Sequence, residues 1–210
     1  MTEVAHVTGT VTAKPTRTGV VGVLGRSLAA VVLRRPAVPG LRHSAGLRQL
    51  VLPLVGMELV TGFLLSSMLP PVVRPVHMAL EALLVLGGLA LVAALLRHPH
   101  EVDADRLVLR TAFLGDVELP RSAVRSVAPV VRTVDGKGPR AVPGEPDAVA
   151  CSVSDSLNLV IRLDPPVRLD LGAAGLVDAR TVYASADSVP ALSAALRATA
   201  QAVSSGSGPA

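Results

Sequence analysis

Two apolar stretches, residues 50–69 and 76–96, follow one another with only Pro70, Pro71, Val72, Val73, Arg74 and Pro75 between them. Each is about the 20 residues that an α-helix needs to cross a hydrocarbon layer roughly 30 Å thick. Each carries one acid, Glu58 in the first and Glu81 in the second. The expected result is a membrane hairpin that divides the chain into an N-terminal arm, a spanning pair and a polar C-terminal half.

The basic residues around the spans predict their orientation. Lys14, Arg17, Arg26, Arg34, Arg35, Arg42 and Arg48 precede the first span against the lone acid Glu3, and Arg97 follows the second, whereas the connector offers only Arg74. By the positive-inside rule both termini are cytoplasmic and the Pro-rich connector faces out, making a multi-pass protein of the cell membrane. The formal net charge of +4 comes from this arm, because residues 97–210 hold more Asp and Glu than Lys and Arg. The charge is therefore a topology signal, and no nucleic-acid partner is implied.

Half of the residues are apolar, yet the chain has no Trp, one Tyr and two Phe, so its cores must be built from Val, Leu and Ala. An aromatic surface for stacking single-stranded nucleic acid is absent. The single cysteine, Cys151, cannot form an internal disulfide and reads as a small buried strand residue.

Texture along the chain predicts five regions: a tail over 1–18, a basic juxtamembrane arm over 19–45, the hairpin over 46–97, a β domain over 98–203 and a Ser/Gly-rich disordered tail over 204–210. Within the arm, residues 20–33 are apolar but split by Arg26 and Ser27. They are too short to span before Arg34, Arg35 and Pro36, which favours a helix lying on the cytoplasmic leaflet over a signal sequence. After Arg97, short β-branched runs alternate with turn signals, predicting strands near 107–113, 117–119, 127–133, 148–153, 159–163, 167–171 and 180–184. Asp164-Pro165-Pro166 and the stretch 135–146 are read as separators. The segment 189–203 places Val189, Leu192, Leu196 and Val203 on one helical face, with Asp187 and Ser188 to cap it and Pro190 in the first turn. The expected fold is an α+β membrane protein: a two-helix transmembrane hairpin, then a small β-barrel or sandwich of about seven strands with a C-terminal amphipathic helix.

The run His100-Glu101-Val102-Asp103-Ala104-Asp105-Arg106-Leu107-Val108-Leu109-Arg110, then Leu114-Gly115-Asp116-Val117-Glu118-Leu119-Pro120 and Ala123-Val124-Arg125-Ser126-Val127, resembles the bacterial PH-like domains attached to membrane hairpins. The resemblance covers residues 46 to about 201. It implies a PH-like barrel at the inner face of a membrane and carries no catalytic residues with it.

Several constellations invite chemistry. Glu58 and Glu81 are costly in hydrocarbon, about 2.5–3.5 kcal/mol each when ionised, so they must be protonated, paired or shielded. His77 and Arg74 lie at successive turns from Glu81 and predict an outer ion-pair cluster. Glu58 counts to a depth about a turn and a half from Glu81, so a direct acid pair is not expected; polar glue between hairpins is favoured over a proton or cation relay. His98-Pro99-His100-Glu101 offers metal-ligand chemistry, but Pro99 breaks the helix between the imidazoles, and a juxtamembrane boundary explains the segment without a metal. Asp103-Ala104-Asp105 spells a cation-holding motif of glycosyl transfer, yet the βαβ alternation of a nucleotide site is missing, so a solvated strand edge is preferred. Lys137 and Arg140, in a Gly-rich loop without P-loop spacing, join Arg34, Arg35, Arg42 and Arg48 as candidate contacts for a lipid headgroup or partner.

These residues predict a non-enzymatic integral membrane protein that presents a cytoplasmic PH-like binding or scaffolding domain at the inner leaflet. Its partners are the lipid bilayer and a protein or second copy of the chain, and no cofactor is implied. The alternative is a small subunit of a transporter or membrane complex that works through Glu58 and Glu81 within the bilayer.

Overall fold

The computed structural model describes residues 11–12, 19–36, 39–172 and 175–206. Apart from Val11–Thr12, the expected N-terminal tail lies outside the described residues, as do residues 207–210 of the C-terminal one.

After the two-residue strand β1 (Val11–Thr12) come three helices: α1 (Val20–Val32), α2 (Ala45–Met68) and α3 (Arg74–Arg97). Pro75 sits in the first turn of α3, where a missing N–H leaves no helical bond unmade. Both α2 and α3 are long and apolar enough to cross a bilayer. Only 11% of α2's most apolar window and 28% of α3's is buried, so most of their apolar surface is left uncovered. Leu, Val, Met and Phe side chains stand bare along both, Phe63 and Met68 among the most exposed.

The two helices pack closely through glycine. A Cβ at Gly62 would lie 2.1 Å from Cδ of Glu81, and one at Gly88 would lie 2.4 Å from Cγ2 of Val55. Small residues let helix backbones approach where no hydrophobic force separates helix from lipid.

The chain then builds two open sheets. The larger contains β1 (Val11–Thr12), β5 (Val124–Thr133), β6 (Gly138–Val142), β7 (Glu145–Ser152), β8 (Ser156–Asp170) and β9 (Leu176–Ala184). Its order is β1-β8-β9-β7-β6, with β5 also on β8. The smaller contains β2 (Glu101–Val102), β3 (Arg106–Arg110) and β4 (Asp116–Pro120) in that order. The larger sheet is mixed, because β7 runs parallel to β9 and β1 parallel to β8.

Neither sheet closes on itself, so of the expected barrel or sandwich of about seven strands the closed barrel is not formed, and two open sheets face one core. Two local readings account for much of the difference. Residues 159–163 and 167–171 belong to a single strand, β8, which passes through Pro165 and Pro166. The ladder to β9 shifts register between Arg162 and Val167, and β5 ends its pairing at Leu163, so the two prolines sit where no ladder N–H is needed. The stretch 135–146 is not a plain separator either, since β6 lies within it. It turns into β7 through Pro143-Gly144, and Gly144 at φ +80° takes the position of a type II turn that requires φ > 0.

The main core lies between the sheets. Leu107, Leu109, Val117 and Leu119 of the smaller sheet meet Leu159, Ile161, Leu163 and Val182 of the larger. Along β8, Leu157, Leu159, Ile161 and Leu163 are buried at every second position, the period a half-buried strand requires. Helix α4 (Val189–Gly206) adds Leu192 and Leu196 to this core, as its amphipathic spacing predicts, and runs on past Ser204. Each fully buried leucine contributes about 1.5–3 kcal/mol relative to exposure. On the reverse face Tyr183 packs with Ala148, Ala150 and Val142. There the Arg132 guanidinium lies 4.5 Å from the Tyr183 ring centre and 2.5 Å from Glu145 Oε1.

Candidate junction between the apolar hairpin and the β domain

A hairpin of antiparallel helices brings the residue before its first helix beside the residue after its second. Here those flanks are joined as a short bridge: Leu41 N–H donates to His100 O (2.9 Å) and His100 N–H to Leu41 O (2.8 Å). Gly40 makes the approach feasible, because at φ +145° a Cβ there would stand 2.7 Å from the His100 carbonyl oxygen. Inside the bridge, His43 and His100 stack with ring centres 4.6 Å apart and planes 15° from parallel. Each is 1% exposed.

The hydrogen bonds of His100 define one protonation state. His100 Nε2 donates to the Ser185 carbonyl (2.8 Å), and its Nδ1 accepts the Arg110 amide N–H (3.0 Å). An amide can only donate, so Nδ1 must carry a lone pair and His100 is neutral. His43 Nε2 donates to the His98 carbonyl (2.9 Å), and its Nδ1 lies 2.7 Å from Ser44 Oγ, a hydroxyl able to donate or accept. Burial lowers both imidazoles below the ordinary histidine range, and the neighbouring His43 helps to hold His100 down to about 3.

Asp187 links this pair to α2. Its Oδ1 accepts the N–H of Ala45 (2.8 Å), the first residue of α2, and its Oδ2 takes a charge-assisted bond from Arg48 in the same turn. The local residue before α2, Ser44, offers no side-chain cap. A carboxylate at a helix N-terminus satisfies an orphan donor and complements the helix dipole. Asn158 positions the loop that carries Asp187, donating to the Ala186 carbonyl (2.7 Å) and accepting its N–H (2.9 Å). Beneath the polar network Ala94, Leu95, Ala112 and Val153 form an apolar seat with Leu47, Leu91 and Phe113, so the β domain rests directly on the helix ends.

The other expected site residues fall in several places. Glu81 turns inward against Gly62, and the outer ion-pair cluster does not form: His77 Nε2 lies 3.3 Å from the Gly62 carbonyl and Arg74 donates to the Leu69 carbonyl (3.1 Å). Helical geometry places Arg74 toward the connector, where a carbonyl at the end of α2 is its nearer acceptor. Glu58 lies one turn before Gly62 on α2, so its depth differs from that of Glu81 by about 6 Å, closer than the expected turn and a half. Ser66 Oγ and Glu81 Oε1 are buried without a hydrogen-bond partner among the described residues, and both line a groove of about 640 Å³ with Leu59, Phe63, Met78 and Val85.

Arg48 is engaged by Asp187, and Arg140 donates to the carbonyls of Asp135 (3.0 Å), Gly138 (2.8 Å) and Val134 (2.7 Å), closing its own loop. Arg34, Arg35, Arg42 and Lys137 are exposed. His98, His100 and Glu101 disperse: His98 Nδ1 donates to Ala94 O (2.9 Å), His100 joins the stack, and Glu101 pairs with Arg110 (2.7 Å). Asp103 pairs with Arg106 (3.1 Å) on an exposed edge.

Sequence reasoning did not single out His43 or Asp187 as junction residues. For His43 a signal existed, since a hairpin must bring the flanks of its two helices together. For Asp187 there was none, because its partners lie on α2 and its neighbours in sequence suggested a cap for α4 instead. No family model, characterised protein or solved structure matches this chain.

Proposed function

We propose that this chain is a non-enzymatic integral membrane protein in which α2 and α3 cross the bilayer and hold the β domain against the cytoplasmic leaflet as a PH-like binding or scaffolding module. The observation that carries this reading is the bare apolar surface of α2 and α3, which gives way to the polar His43, His100 and Asp187 network at the end where the β domain sits. An apolar surface of this extent on a protein in water would drive aggregation, whereas lipid removes the cost. The basic residues of the arm favour the cytoplasmic side for that end. Two sheets sharing a core closed by a C-terminal helix support the PH-like comparison.

Single cysteines at Val72 and at Lys137, in intact cells with a membrane-impermeant maleimide, test the topology. Labelling of Val72→Cys alone supports it. Labelling of Lys137→Cys from outside sinks it.

A second reading has its own observation. The orphaned Ser66 Oγ and Glu81 Oε1 fit a hairpin that completes its polar contacts against another membrane helix, as a subunit of a complex. Loss of co-purifying membrane proteins in both Glu58→Gln and Glu81→Gln would favour it over the tether.

A further inference from the structure

At the junction end of α3, one face of α1 and the turn that follows it enclose a second cavity of about 300 Å³. Val23, Arg26, Ser27 and Ala30 of α1 line it at helical spacing, and Arg35, Arg97 and His98 complete it. Arg35 is brought there by a backbone reversal: Arg34 takes φ +50°, and the N–H groups of Arg34 and Arg35 return to the carbonyls of Val31 (3.0 Å) and Ala30 (2.9 Å). That is the hydrogen-bond pattern of a Schellman turn with arginine in the place usually given to glycine. Arg97 then ties the turn to α3 by donating to the carbonyls of Arg35 (3.3 Å) and Pro36 (3.0 Å).

Three arginines thus line one cavity, Arg26 with its Nε donating to the Gly22 carbonyl (3.2 Å), and none of them meets a carboxylate among the described residues. Ser27, 5% exposed, lines the same cavity. Like charges held together without a counter-ion repel, so the arrangement suits an anion with several acceptor oxygens. The apolar surroundings indicate which one. Val20, Val21, Val31 and Val32 of α1 and Leu33 just after it are exposed, and the bare part of α3 ends at Leu89, about two turns before Arg97. A phosphate at this level would have its acyl chains alongside apolar side chains.

We infer that Arg26, Arg35, Arg97 and Ser27 form a binding site for the phosphate of an anionic phospholipid of the cytoplasmic leaflet. The inference rests on the membrane reading proposed above and adds to it a site and a ligand class. Basic pockets between helices at the cytoplasmic side are suited to such headgroups.

The test uses the full chain reconstituted in vesicles of pure phosphatidylcholine and in vesicles with phosphatidylglycerol, followed by measurement of the lipid that remains bound after extraction. Retention of phosphatidylglycerol over phosphatidylcholine is expected, and Arg26→Gln/Arg35→Gln should weaken it roughly tenfold. Arg26→Lys/Arg35→Lys, which keeps the charge but not the planar fork, should keep part of the retention. Arg97 is left in place so that the turn stays tied to α3, and unchanged flotation of both variants shows that they still insert. Equal retention by wild type and the Gln variant overturns the site. Displacement of the lipid by millimolar inorganic phosphate at constant ionic strength overturns the lipid assignment in favour of free phosphate. Failure of the wild type to float even with phosphatidylcholine overturns the membrane reading itself.

Discussion

His43 and His100 lie face to face, 4.6 Å between ring centres, with every ring nitrogen in a hydrogen bond and those of His100 engaged as in a neutral imidazole. One precedes α2 and the other follows α3, so their contact closes the open end of the helical hairpin and fastens it to the β domain. Adding a proton to His100 Nδ1 would set it against the Arg110 N–H, two donors where one acceptor is needed.

The junction is therefore sensitive to acid, with a definite sign. Both histidines bind their protons less readily folded than unfolded, His100 down to about 3 from 6.5. The stability they contribute is fully present above the unfolded value and is lost as pH falls from 6.5 toward 3, because the unfolded chain takes up the protons that the folded one refuses. Each refused proton gives a slope of up to about 1.4 kcal/mol per pH unit. Thermal unfolding between about pH 7 and pH 5.5, above the usual carboxylate range, should show the melting temperature falling with pH. The slope should flatten in His43→Asn/His100→Asn, and an equal slope in that variant would contradict the assignment.

Asp187 should matter more to α2 than to α4. Asp187→Ala removes the cap of Ala45 and leaves Arg48, whose side chain is 14% exposed, without its counter-ion and with the His43 carbonyl as acceptor, and should cost about 1–3 kcal/mol. Asp187→Asn keeps an acceptor for the Ala45 N–H but loses the ion pair, and should fall between. Denaturation of the detergent-solubilised chain measures the difference, while hydrogen exchange at residues 45–48 should rise in the Ala variant.

Gly62 and Glu81 should behave as a coupled pair. Gly62→Ala puts a Cβ about where the Glu81 carboxyl now lies and should destabilise the hairpin by about 1–3 kcal/mol. Replacing Glu81 by Ala clears the space, so the double variant should be markedly more stable than the sum of the single losses. Purely additive losses in melting temperature would show that the two side chains do not meet.

Cys151 should be silent to thiol reagents in the folded protein. It is 1% exposed, and burial pushes its thiol up to about 12. Disulfide-exchange reagents at pH 8 should titrate it only after denaturation, since the thiolate is the reactive form. This silence also keeps the native chain from confusing the labelling at Val72 and Lys137.

What could be read in the sequence depended on distance along the chain. Helices α1, α2, α3 and α4 were legible because their apolar periods and flanking prolines act within a few turns. The alternation of buried positions in β8 was legible in the same way, but its continuity was not. Pro165 and Pro166 look like a break until β9 and β5 are seen to leave those positions unpaired. Strand β6, the short run Gly138–Val142, has little strand character of its own and exists because β7 turns back onto it.

The candidate sites divide along the same line. The sequence by itself determined that two apolar helices stand together, that their acids are costly and that positive charge gathers at one end, since each is a property of contiguous residues. Only the tertiary structure decided that Asp187 caps α2, that His43 meets His100, that Glu81 turns toward Gly62 instead of Arg74, and that Arg26, Arg35 and Arg97 share a cavity. Each of these contacts joins residues that no local period relates, and its energy arises from the desolvation and charge that packing creates.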